Sequence, residues 1–388
     1  MWNSSVVMSV AVALAQLPLL EGNAPGRCGV ALLRGLHANG LDVRAVAPVR
    51  RFAGVEVSDE LPPEDLPVEL IRLEHSAETH RVMRLRGLAS RVHRPRGELA
   101  DPRYLRALGV AASGADVLHL EETETGWAGR GAAVPQILHV HYLTRLDRDA
   151  GPLGRRAWRE VTEFAAAERR LSRRAAHLLA SSPVVAAELR RLAPRATVHE
   201  FAMPLDVRTY GAPATARAPV AGLIGTATWG PTRSAMTELV NRIWPQVAGS
   251  VPDAGLLVAG RGSETLGLDG TGRVRICGQV PSARDFFAQI ALLLFPLSRG
   301  SGVKVKVLEA MASGVPVLTT PAGADGAPRS DGLLVAPDMT SLRDRAIDLL
   351  RRPHELWARG QAARADVLCR HEPAVATAPL LDIYSSLG

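Results

Sequence analysis

Short apolar runs alternate with amphipathic stretches along nearly the whole chain. Val6–Ala15 reads as a buried strand, followed by a loop over Gln16–Arg27 and a helix over Cys28–Ala38 that stops at Asn39-Gly40. Val43–Ala47, Val68–Leu73, Val117–Leu120 and Pro135–Val140 are further runs of strand length. Leu178–Ala180 begins another that ends at Ser181-Ser182-Pro183, with a helix after it. Residues 204–219 change character: Pro204, Gly211, Pro213 and Pro219 are linker chemistry. The alternation then restarts. Strand Val220–Ile224, a helix around Ser234–Val247, strands Gly255–Val258 and Val274–Ile276, helix Arg284–Ile290, strand Leu292–Phe295, strand Val315–Thr319 and helix Leu342–Leu350 follow. Runs that are apolar on both faces belong to parallel sheets covered by helices. The pattern predicts an α/β protein with two doubly wound domains facing a cleft, residues 1–204 and 220–388, joined by a linker at 205–219. Ligands of such sheets bind outside the carboxyl ends of the strands.

One stretch concentrates candidate chemistry. Residues 297–321 read Leu-Ser-Arg-Gly-Ser-Gly-Val-Lys-Val-Lys-Val-Leu-Glu-Ala-Met-Ala-Ser-Gly-Val-Pro-Val-Leu-Thr-Thr-Pro. Gly300 and Gly302 let backbone N–H groups approach a ligand. A helix predicted to open near Val303 points its positive end into the same loop, which suits a phosphate. Lys304 then falls in the first turn, where a cation is unfavourable unless an anion is bound nearby. Gly314 and Pro316 end the helix.

This motif resembles the nucleotide-sugar site of GT-B glycosyltransferases of the retaining family 4, in the subgroup with a Gly-Ser-Gly-x-Lys-x-Lys-x-Leu-Glu-Ala-Met-Ala loop. The match is specific over residues 220–340 and rests elsewhere on strand order and spacing. The resemblance implies two Rossmann-like domains, the first for an acceptor and the second for a nucleoside-diphosphate sugar, with a last helix (about 354–388) crossing back to the first domain. It implies that Glu309 holds the donor ribose and that Lys304, Lys306 and Arg233 neutralise the diphosphate. Gly225, Thr226, Arg261, Val280, Ser301, Gly302 and Val303 would line the donor site. A second Glu of the family pattern, eight residues before Glu309, is Ser301 here. The implied reaction is a retaining transfer that needs no metal and no cofactor beyond the donor. An epimerase of the same fold and a non-catalytic sugar-nucleotide-binding subunit are the alternatives.

In the first half, alternation puts His139 and His141 on one face of the Gln136–Val140 strand, with His141 at its exit. The resemblance places such a His at the reacting centre and leaves His139 to the core. Glu121, crowded by Glu122 and Glu124, is a candidate for orienting an acceptor hydroxyl, and Gly22, Gly26 and Gly29 allow close approach of a sugar or phosphate. They do not form the spacing of a dinucleotide fingerprint. Asp147-Arg-Asp149 is a D-x-D in an Arg-rich loop and reads as chance rather than as a metal motif. Gly300 to Lys304 lacks the full P-loop pattern, which argues against nucleotide hydrolysis.

Composition adds bounds. The 388 residues carry 47% hydrophobic and 22% charged side chains, which suits two soluble cores. A net charge of +7 favours anionic ligands. Arg81, Arg84, Arg86, Arg91, Arg94 and Arg96 form a basic run that suits an anionic acceptor or peripheral contact with a membrane. Aromatics are 4% of the chain and do not interleave with these arginines, so nucleic acid is not an expected partner. The expected acceptor is a saccharide, a natural product or a lipid. Cys28, Cys277 and Cys369 are too far apart for a zinc pair or a disulfide framework. With no basic residues before Val6, and no run of roughly 18–20 apolar residues, the expected setting is the cytoplasm of a GC-rich bacterium, with or without contact at the inner membrane face.

Overall fold

The computed structural model describes residues 7–52, 61–75, 99, 101–148, 154–268 and 273–387. The basic run Arg81 to Arg96 and Asp149 lie outside them. Two all-parallel sheets carry the architecture. The first contains β1 (Ser9–Ala13), β2 (Asp42–Phe52), β3 (Val68–His75), β4 (Val117–Glu121), β5 (Gln136–Val140), β6 (His177–Ala180) and β7 (Thr197–Glu200) in the order β3-β2-β1-β4-β5-β6-β7. The second contains β8 (Val220–Ile224), β9 (Gly255–Ala259), β10 (Val274–Gly278), β11 (Leu292–Phe295), β12 (Val317–Thr319) and β13 (Leu333–Val335) in the order β10-β9-β8-β11-β12-β13. The doubly wound reading of the sequence is what the chain adopts. Val10 to Ala13 and Leu292 to Phe295 are fully buried because helices cover both faces of each sheet.

Strand order reverses between β1 and β4 in one sheet and between β8 and β11 in the other. The loops leaving those four strands therefore splay apart and leave room for a ligand. They carry Asn23 and Gly26, Glu121, Gly225, and the Gly300-Ser-Gly302 segment. Chain topology alone puts the chemistry-bearing residues at one edge of each domain.

Several boundaries differ from the sequence pattern for local reasons. The first helix spans Ala24–Ala38 rather than beginning at Cys28, because the Asn23 side chain accepts from Gly26 N at 2.8 Å and Pro25 suits the first turn. The helix of the Gly-rich loop is Val305–Ala312, with Lys304 as its N-cap rather than a residue of its first turn. β2 runs well past Ala47 because it pairs with β3 as far as Phe52↔His75. The short strands β7 and β13 lack any apolar run long enough to announce them.

The end of the chain returns to the first domain. The Pro353–His371 helix packs on the second sheet's layer, with Gly360 against the Gly314 carbonyl. The Pro373–Thr377 helix then lies on Ala24–Ala38: Asn39 Nδ2 donates to Ala374 O and to Thr377 Oγ1, both at 2.9 Å. Leu380 and Tyr384, from Pro379–Ser385, are buried in the same apolar cluster as Val10, Leu14 and Leu36. No helix among the described residues is long and apolar enough to cross a membrane.

Candidate active site

The two domains meet where the loop after β11 touches the exit of β5. Ser301 is central. Its backbone N and its Oγ donate to Asp147 Oδ1 at 2.6 and 2.7 Å, and its Oγ accepts from Leu143 N at 2.8 Å. Gly302, with φ of +73°, packs so tightly that a Cβ there would collide with the His141 carbonyl. That carbonyl also accepts from Ser181 Oγ at 2.6 Å. The loop is thus held by hydrogen bonds from the opposite domain. Asp147, a chance D-x-D by its sequence context, is instead a buried carboxylate at the domain interface. Its pKa is raised because desolvation outweighs the hydrogen bonds from Ser301.

Lys304 does not reach out from this loop. Its Nζ curls back onto the carbonyls of Ser301 and Gly302 at 3.0 and 2.5 Å, bracing the loop from behind. Lys306 is the cation that faces the β8 exit. Its amine bonds Thr232 Oγ1 at 3.0 Å and sits 4.8 and 5.7 Å from the Phe295 and Trp229 ring centres. A Cβ on Gly225 would strike it. Thr226 is exposed beside it. Arg233, expected at the diphosphate, is turned onto its own loop, with Nε donating to Ala227 O at 3.0 Å. Arg261 lends its carbonyl to Ala227 N at 2.9 Å and leaves its side chain exposed. Val280 and Val303 are half-buried against the second domain's core.

Glu309 is 2% exposed, and its partners come from outside its own helix. Arg27 of the first domain lies 2.5 Å from Oε1, and the Tyr210 hydroxyl donates to the same oxygen at 2.8 Å. Desolvation lowers the guanidinium pKa, but Glu309 more than offsets it and the value is raised. Arg27 also bonds the Gly22 carbonyl, while its buried Nε has no partner among the described residues. Gly26, expected to face an acceptor, instead lets the helix start pack on the Leu17 carbonyl.

On the first-domain wall, Glu121 is 4% exposed and gathered by three imidazoles. His119 Nε2 and His139 Nδ1 lie 2.8 and 2.9 Å from Oε2, and His141 Nε2 lies 2.7 Å from Oε1. Both carboxylate oxygens are occupied, so Glu121 does not present itself to an acceptor as the sequence suggested. Burial pushes His139 down to about 4. Burial also opposes charging His141, yet Glu121 prevails and its pKa is raised.

Two family models match this chain: a glycosyl transferase 4-like domain over residues 24–203 and glycosyl transferases group 1 over residues 218–352. Together they span most of it, one per sheet. The chain is a glycosyltransferase of the GT-B fold. Solved structures agree in fold. Anabaena HepE, in complex with UDP-glucose, superposes with a TM-score of 0.65 at 13% identity, over 98% of this chain and 100% of that one. A Staphylococcus aureus TarM variant with UDP, fondaparinux and alpha-GlcNAc-glycerol gives 0.67 at 9%, over 97% and 100%. A Burkholderia xenovorans trehalose-phosphate synthase with glucose-6-phosphate gives 0.63 at 9%, also over 97% and 100%. No curated protein matches this glycosyltransferase in sequence.

Three residues around the glycosyltransferase's domain contact were not singled out by sequence reasoning, Arg27, Tyr210 and His119, and a fourth, Asp147, was set aside there as part of a chance D-x-D. Arg27 carried a signal, since a cation in a helix's first turn is disfavoured unless an anion from elsewhere meets it. Tyr210 carried none, because its partner is 99 residues away. His119 carried one, since strand alternation puts it on the same face as Glu121 two residues on, although its other partner, Tyr384, is 265 residues away.

Lys306 gives the β8 exit a measurable pH signature. Burial, reinforced by Lys304, depresses its amine from 10.5 to about 7. The unfolded chain therefore binds this proton across the window from about 7 to 10.5, and the folded one does not. Stability attributable to this group rises with pH there. Lys306→Met removes the titration. The variant's Tm is expected to exceed that of the wild type most at and below about pH 7, with the lead shrinking steadily as pH rises toward about 10.5. A Tm difference independent of pH would mean that the amine is not desolvated.

Proposed function

We propose that the enzyme transfers a sugar from a nucleoside-diphosphate sugar, with a uridine donor the first to test, to a hydroxyl of a saccharide, natural product or lipid. In this reading the anomeric configuration is retained, no metal is required, and the work is done in a bacterial cytoplasm. Residues 220–388 hold the donor, and residues 1–204 present the acceptor across the linker at 205–219. The observation that carries the reading is the contact between the Gly300-Ser-Gly302 loop and the β5 exit. It brings a helix N-terminus and His141 to the two walls of one cleft.

The diphosphate rests against the loop amides and the start of Val305–Ala312, with Lys306 supplying positive charge from the β8 side once the bound anion favours its protonated form, and Lys304 keeping the loop in shape. Glu309 takes the ribose hydroxyls, and Arg27 brings a second cation to the same place from the first domain. Charge that develops on the departing diphosphate is stabilised by groups already in position. The bond from C1 to the phosphate oxygen breaks as the acceptor oxygen bonds to C1 on the same face. The acceptor proton passes to the departing phosphate oxygen. No separate general base is needed, which fits a cleft whose carboxylates Glu121, Asp147 and Glu309 are each engaged by protein donors. The Gly-Ser-Gly-x-Lys-x-Lys loop supports membership of the subgroup in which the upstream acidic position, Ser301 here, is not a glutamate.

The test is turnover of UDP-, GDP-, dTDP- and ADP-sugars with and without chelator against glucosides, glycerol glycosides and sugar phosphates. Nucleoside diphosphate release is read first, then the anomeric configuration of the product by NMR. Acceptor-dependent release unaffected by chelator, with a retained anomer, is the expected result. An isomerised sugar nucleotide formed without any acceptor would overturn it in favour of an epimerase. Tight donor binding without turnover by any acceptor or water would indicate a binding subunit.

A further inference from the structure

Beneath the cleft wall lies a buried polar chain whose members behind His141 have no role in the transfer as described above. It runs from Tyr384 in the returning C-terminal segment, through His119 and Glu121, to His139 and His141. The Tyr384 hydroxyl is 2.6 Å from His119 Nδ1. His119 and His139 are fully buried, Glu121 is nearly so, and His141 keeps 11% of its side-chain surface. His141 is therefore the one imidazole of the three that reaches out of the network.

Hydrogen-bond accounting fixes the protons. The carboxylate of Glu121 can only accept, so each ring nitrogen facing it carries hydrogen: His119 Nε2, His139 Nδ1 and His141 Nε2. His119 Nδ1 is then bare and accepts the Tyr384 hydroxyl. Neither His119 nitrogen can change state without breaking a buried bond. His139 Nε2 is buried with no partner among the described residues, so a proton there would have no acceptor. His141 Nε2 is committed to Glu121, and its Nδ1 makes no hydrogen bond within the described residues.

We propose that Glu121 is a positioning residue for the transfer: backed by His119, His139 and Tyr384, it fixes the ring orientation and tautomer of His141 and makes His141 the single place in the network where a second proton is held. This rests on the reading of His141 as a cleft residue given above. In that state Nδ1–H is a charged donor on the first-domain wall, opposite the loop that takes the diphosphate. The raised pKa of His141 and the low value of His139 agree with this division. The charged and titratable groups around His141 are Glu121 and Glu122 at the β4 exit, Glu124 in the short helix Thr123–Trp127, His139 on β5, and Lys304 and Asp147 at the loop contact. The three glutamates favour the imidazolium.

The experiment follows the His141 ring by NMR across pH in the full-length protein, alongside the pH profile of kcat/KM. Wild type is expected to titrate above an ordinary histidine. In Glu121→Gln the ring should titrate about one unit lower or more, as expected on losing an opposite charge at contact distance. The alkaline limb of kcat/KM should move down with it, and Glu121→Asp should restore most of the shift. Tyr384→Phe, which removes only the far hydroxyl, should give a smaller shift in the same direction and serves if Glu121→Gln does not fold. An unchanged His141 titration in both Glu121→Gln and Tyr384→Phe overturns the proposal. So does one equivalent of zinc in the purified protein, since the facing atoms of His119, Glu121 and His139 lie within 4.8 Å of one another and would then be ligands. If no sugar nucleotide turns over, the function above fails while the ring titration still decides this point.

Discussion

Replacing Glu309 by glutamine is expected to lower kcat/KM for the sugar nucleotide about a hundredfold, or about 2.7 kcal/mol of transition-state stabilisation. Glutamine keeps the shape and removes the charge. Arg27 is then left in the cleft without its counterion, and the Tyr210 hydroxyl loses its charged acceptor. Breaking one side of a buried charged pair costs about 2–5 kcal/mol, much of it from the group left behind. Two readouts separate the causes. The Tm of the free enzyme reports the lost pairing with Arg27, and the KM for the donor reports the lost ribose contact. A variant with lowered Tm but kcat/KM within about threefold of wild type would remove Glu309 from the donor site.

The second large effect concerns the domain contact. Gly302→Val should reduce kcat about a hundredfold or more while changing nucleotide affinity far less, because the proposed reacting centre lies where this loop meets the β5 exit. A side chain at 302 meets the His141 carbonyl from the opposite domain, and φ of +73° adds about 1–2 kcal/mol of backbone strain for any L-residue with a Cβ. In the proposed function the nucleotide is held by residues 220–388, so UDP binding measured by calorimetry should survive. Near-wild-type kcat would mean that the loop and the β5 exit separate during turnover.

What the sequence disclosed, and what it withheld, follows from the range of the interactions. The succession of most strands along the chain and the Gly-rich loop were legible because apolar periodicity and glycine placement are local signals. Glu309 and His141 were legible as positions, through motif and strand exit, but not in their partnerships. Arg27 meets Glu309, Asp147 meets Ser301 and Tyr384 meets His119 across the domain boundary or the length of the chain, and nothing in their neighbours predicts it. Lys304 and Lys306 show the same limit at short range. Both looked aimed at a phosphate, yet moving the helix start from 303 to 305 made one of them a brace for the loop. The side-chain orientation of Arg233 was likewise invisible, since any arginine after a Gly-Pro-Thr turn can fold back onto the carbonyls behind it.

The bonds from Ser301 to Asp147 carry a consequence for the order of events in a catalytic cycle. The Ser301 amide and hydroxyl are the donors an incoming phosphate would seek, and in this arrangement a carboxylate from the other domain already occupies them. On the proposed donor site, a diphosphate and the Asp147 carboxylate compete for these donors, so the donor displaces the acidic group from the loop. Once the sugar has left, the same carboxylate competes with the spent nucleotide for the loop. On the proposed function, product release is then aided by a group that belongs to neither substrate's pocket.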